Sequence, residues 1–145
     1  RNPYSWIKAM HKEPYYDHFP KIKELSLESF IQFSIEDYEN SITMWNQKND
    51  SYFRMSDEIP NSIIINVEDF NADQRKFHTN LTDILNRSDM PLIKMNDYVN
   101  GRGRHEQEDI TSSLMIPKLD KNLVRIINSS LSEETMKKCN YELLI

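Results

Sequence analysis

Two glycines and one cysteine among 145 residues close off several kinds of chemistry at once. A single cysteine, Cys139, excludes an internal disulfide and a thiolate metal cluster. Its place near the end of a helical pattern predicts a small buried hydrophobe. With Gly101 and Gly103 the only glycines, the chain holds neither a Walker-type phosphate loop nor a GxSxG nucleophile turn. No apolar run approaches the roughly 18–20 residues needed to span a bilayer, and no signal-peptide pattern is present. The four histidines, His11, His18, His78 and His105, lack metal-ligand spacing such as HxxxH, so no metal is expected. Basic residues are outnumbered, 18 against 23 acidic for a net charge of −5, and they are scattered rather than gathered into a stripe. Nucleic acid is therefore not an expected partner, because backbone binding needs a concentrated cationic face.

What is present fits one domain over residues 1–145, long enough to bury about 68–70% of its unfolded surface. Asn2 and Pro3 read as N-cap and first helical residue, since Asn can satisfy an orphan N–H and Pro has none to lose. Trp6, Ile7 and Met10 continue the pattern, which predicts a helix over 3–11. Pro14 and Pro20 bracket an aromatic loop. Helical spacing returns at Leu27, Phe30 and Ile31, and again over 38–55 with Ile42, Trp45, Tyr52 and Phe53 as expected core positions.

The period then changes. Ile63, Ile64, Ile65 and Val67 form a β-branched run that predicts a buried strand of a parallel sheet, closed by Glu68 and Asp69. Capping of the next helix is the expected role of Asp69. Helix resumes over "ADQRKFHTNLTDIL", and a strand between helices of this length implies α/β architecture. Residues 89–118 are the least regular and hold both glycines. At the end, Leu123, Ile126 and Ile127 share one helix face, and Ser132 starts a further helix with Glu133 and Glu134 at its positive end.

Two anion sites suggest themselves. Arg1 stands immediately before a capped helix whose N-terminal N–H groups and partial positive charge suit a phosphate. Arg102 and Arg104 flank glycine in "NGRGR", where freed backbone amides and guanidiniums favour the same ligand. The competing reading of each is a solvated surface arginine. His11 or His18 has the chemistry of a general base, although a lone histidine in a loop is more often a bystander.

In this order the segments resemble the sulfotransferase family. "RNPYSWIKAMHKEPYY" is similar to that family's 3′-phosphate-binding strand-to-helix junction, "NSIIINVEDFNADQRKFHTNLTDIL" to its later strand, acidic ending and following helix, and "LDKNLVRIINSSLSEETMKKCNYELL" to its closing segment, with Asn140-Tyr141 in place of a Gly-Tyr pair. The resemblance implies a partial P-loop-like three-layer α/β fold, helix-rich with few parallel strands, corresponding to the C-terminal portion of a sulfotransferase domain. It implies transfer of a sulfuryl group from 3′-phosphoadenosine 5′-phosphosulfate to a hydroxyl or amine of a small-molecule or carbohydrate acceptor, with no metal.

Arg1 is then the ligand of the 3′-phosphate, with Asn2 and Tyr4 as its neighbours, and Arg102 and Arg104 stand in the late basic loop. Ala9 replaces the family's usual serine, and Val67 its frequent tyrosine. The family's Lys-Ser/Ala-Gly-Thr donor loop does not occur in these residues, so the chain by itself is expected to be inactive. The alternative is a non-catalytic module of the same type that binds an anionic ligand or a protein partner. Membrane contact by this portion is not expected, and the compartment is open between cytoplasm and Golgi lumen.

Overall fold

In the computed structural model the described residues are 1–12, 22, 24–60, 62–87, 89 and 117–145. Among them the chain forms α1 (Pro3–Lys12), α2 (Leu27–Ile31), α3 (Ser41–Glu58), α4 (Val67–Ala72), α5 (Gln74–Ile84), α6 (Lys121–Ser130) and α7 (Glu133–Lys138). The helix starts follow local chemistry. Asn40, Asp73, Asp120 and Ser132 each turn a side-chain oxygen onto a first-turn N–H, satisfying donors that the helix cannot pair internally.

The core sits where α1, α2 and the first half of α3 meet α6 and α7. Tyr4, Ile7 and Met10 face Phe30, Ile31, Ile42, Met44 and Trp45, and Ile127, Leu131, Met136 and Cys139 close the cluster. Each such side chain contributes about 1.5–3 kcal/mol when fully buried. α3 is the organising element, packed on α1, α2, α6 and α7. Its second half leaves the core, so that Tyr52, expected inside, is 54% exposed. Phe53 is half-buried against the core as expected.

The expected three-layer α/β fold is not what the chain forms. Among the described residues there is no strand; the one β-type contact is the bridge between Ile35 and Tyr38, closing a tight turn. Ile63, Ile64 and Ile65 lie in a non-helical stretch at 38–39% exposure instead of inside a sheet. A β-branched run becomes a buried strand only when neighbouring strands take up its backbone groups. No backbone hydrogen bond joins these three residues to any other described residue. Val67, Glu68 and Asp69, expected to finish the strand, instead form the first turn of α4, where the acids face the positive helix end. Asp69 caps none of the described helices; Asp73 caps α5 by accepting from the Lys76 N–H at 3.0 Å.

α4 and α5 form a satellite with little buried apolar surface, braced by Phe70 edge-on to Phe77 at 4.7 Å between centroids. Polar links hold it to the core. Asn66 Nδ2 donates to the Cys139 carbonyl at 2.7 Å, and Glu68 reaches both ends of the described chain.

Candidate functional site

The start of α1 is held by side chains of α3 and α4. Asn2 caps the helix as expected, its Oδ1 accepting from the Tyr4 N–H at 3.1 Å. Its carbonyl accepts from the Trp6 N–H at 2.9 Å and from the Ser5 hydroxyl at 3.0 Å. Asn2 is 5% exposed, so its own N–H needs a partner within the protein. Glu68 supplies the acceptor, with Oε1 at 2.8 Å. On the other side of the same peptide group, the Arg1 carbonyl accepts from Trp45 Nε1 at 3.0 Å. Arg1 itself is half-buried.

Glu68 is occupied on both oxygens, because Oε2 accepts from the Tyr141 hydroxyl at 2.7 Å. Burial pushes its carboxyl pKa up, but the hydrogen bonds from Asn2 and Tyr141 outweigh burial and leave it below the ordinary glutamate value. Tyr141 shifts the opposite way. Burial, reinforced by the adjacent carboxylate, drives its phenol well above the ordinary tyrosine range. The pair is thus an ionised carboxylate held by a neutral phenol.

Tyr141 owes its position to the end of α7. The Tyr141 N–H bonds the Met136 carbonyl at 2.9 Å and the Asn140 N–H bonds Lys137 at 3.0 Å, with Asn140 at φ 58° between them. This is the Schellman closure, in which the left-handed residue is ordinarily glycine and asparagine is the next best occupant. Tyr4 lies elsewhere. It is fully buried, and its hydroxyl donates to Asn128 Oδ1 at 2.5 Å while accepting the Leu144 N–H at 3.0 Å. Burial raises its pKa too. Tyr4 joins α1 to α6 and the tail, with its polar atom committed inside the protein.

Of the expected site residues, the structure brings Arg1 and Asn2 together with Glu68, Trp45 and Tyr141. Arg102 and Arg104, with His18 and His105, lie outside the described residues. His11 pairs Nε2 with the Leu25 carbonyl at 2.7 Å, which requires the proton on that nitrogen, and its ring packs on Phe30. It acts there as a brace between α1 and the segment leading into α2. Cys139 is buried as expected, and burial raises its thiol pKa. Sequence reasoning missed Trp45 as a polar partner and set Glu68 behind its neighbour Asp69. No local pattern singles out Glu68, because its partners Asn2 and Tyr141 lie 66 and 73 residues away.

Two open grooves border α7. One of about 590 Å³ lies between α3 and α7 and is lined by Lys48, Arg54 and Lys138 together with Asp50 and Glu134. The other, about 380 Å³, runs along α7 and the tail and includes Tyr141. Among the described residues no group of His, Cys, Asp or Glu could hold a metal ion, and no helix is long and apolar enough to cross a membrane. Comparison of the chain with protein-family models, curated proteins and solved structures returns no match.

Proposed function

We propose that this chain contributes the 3′-phosphate-binding part of a sulfotransferase, with Arg1 as the phosphate ligand at the start of α1. In the reaction, the terminal sulfuryl group of 3′-phosphoadenosine 5′-phosphosulfate passes to an acceptor hydroxyl or amine. Adenosine 3′,5′-bisphosphate leaves, and the acceptor's proton goes to a base.

One observation carries the proposal. The three segments on which the family resemblance rests meet at a single carboxylate: Asn2 and Tyr141, 66 and 73 residues away in sequence, both donate to Glu68. Chance resemblance in three stretches does not require that they touch. The strand that the resemblance implied at 63–67 is not formed, so the reading rests on the Arg1-Asn2-Pro3 junction, the ten-residue α1 and the groups that fix its start, Trp45, Glu68 and Tyr141 among them.

Calorimetric titration with adenosine 3′,5′-bisphosphate tests it. Arg1→Ala is expected to weaken binding by about 1.5–3 kcal/mol, the worth of a hydrogen bond to a charged group. Arg1→Lys should recover only part, because an ammonium cannot reproduce the guanidinium's fork. Equal affinity of Arg1→Ala and the parent protein refutes the clamp.

A further inference from the structure

Resting on that nucleotide-binding reading, we infer that Glu68 is a positioning residue for Arg1 and so helps to determine recognition of a ligand's 3′-phosphate. The peptide group between Arg1 and Asn2 is held on both sides, its carbonyl by Trp45 Nε1 at 3.0 Å and its N–H by Glu68 Oε1 at 2.8 Å. A peptide group is planar, so fixing both polar atoms fixes the plane. The position of the Arg1 Cα, from which the side chain leaves, is then set by α3 on one side and α4 on the other.

Glu68 can do this because it is itself immobilised. Its second oxygen is bound by the Tyr141 hydroxyl at 2.7 Å, and the closure of α7 fixes the backbone of Tyr141. A guanidinium discriminates a phosphate by angle as well as by charge, and loses that discrimination when its base can swing. Glu68 touches no ligand in this account. It acts through the backbone that carries Arg1.

Selectivity is the readout that a merely structural role would not move, because general loosening of the protein weakens all nucleotides together. The parent protein, Glu68→Ala and Glu68→Gln are each titrated with adenosine 3′,5′-bisphosphate and with adenosine 5′-monophosphate, at a temperature where circular dichroism shows the variant folded. The parent is expected to favour the bisphosphate by about tenfold or more, equivalent to about 1.4 kcal/mol. Glu68→Ala, which removes the acceptor, should bring the ratio close to one. Glu68→Gln keeps an acceptor oxygen for Asn2 and should restore most of the preference.

If Glu68→Ala does not fold, Trp45→Phe releases the other side of the same peptide and should lower the ratio in the same way. A ratio unchanged in Glu68→Ala, or in Trp45→Phe where that variant stands in, overturns the positioning role while leaving the nucleotide-binding reading intact. No preference in the parent protein overturns both.

Discussion

Asn140 and Asn86 show how a chain so poor in glycine closes its helices. Each sits at positive φ, 58° and 49°, just past α7 and α5, and each is followed by the long hydrogen bond of a Schellman closure, Tyr141 to Met136 and Arg87 to Thr82. Asparagine tolerates this conformation better than other side chains, but less well than glycine. Asn140→Gly should therefore leave stability unchanged or slightly raised. Asn140→Val should lower it by about 1–2 kcal/mol, read from urea denaturation midpoints, because a β-branched residue resists left-handed geometry. Equal midpoints for the two variants would speak against the closure. Tyr4 offers a second test at this scale. Tyr4→Phe strands the Asn128 carbonyl oxygen and the Leu144 N–H, and should cost about 1–3 kcal/mol with no change in the unfolding slope.

Among the elements, the segment before α4 separates local propensity from its context. Ile63, Ile64 and Ile65 stand half-exposed with no backbone partner among the described residues, so their amides should exchange with solvent far faster than those of Ile42 to Trp45 inside α3. Replacing any one of the three by serine should cost less than about 1 kcal/mol, well below the several kcal/mol of a truncated core side chain. Slow exchange at 63–65 would mean that a paired strand forms there after all.

The helices were largely legible because their information is local. Asn2-Pro3, Ser132 and the apolar spacing of α1 and α6 state start, direction and buried face within a few residues. A strand is different. Its pairing depends on chain far away, and a run of isoleucines looks the same whether or not neighbours exist. The site was legible only in part for the same reason. Asn2 declares itself as a helix cap, whereas Glu68 matters through partners 66 and 73 residues distant that no local pattern names.

For the whole molecule, Glu68 and Tyr141 couple stability to pH from both directions. The folded state holds the Glu68 carboxyl below its ordinary pKa, so this contribution is complete above that ordinary value and disappears as pH falls through the lowered one. Tyr141 is held above its ordinary pKa. Its contribution is complete below the ordinary tyrosine value and is lost as pH rises beyond it. The melting temperature should form a plateau between roughly pH 5 and pH 9 and fall on either side. Tyr141→Phe should soften the alkaline fall, and Glu68→Gln the acid one. These two side chains also tie the satellite of α4 and α5 to the core, so their loss should free that satellite before the rest of the fold yields.

The account turns on one carboxylate that joins the start of α1, the start of α4 and the end of α7. The most direct measurement is an NMR titration of the Glu68 side-chain carboxyl in the parent protein and in Tyr141→Phe. The account predicts a pKa below the ordinary glutamate value of 4.5 in the parent and an upward shift when the phenol donor is removed. A carboxyl that titrates at or above 4.5 and ignores Tyr141→Phe would contradict it.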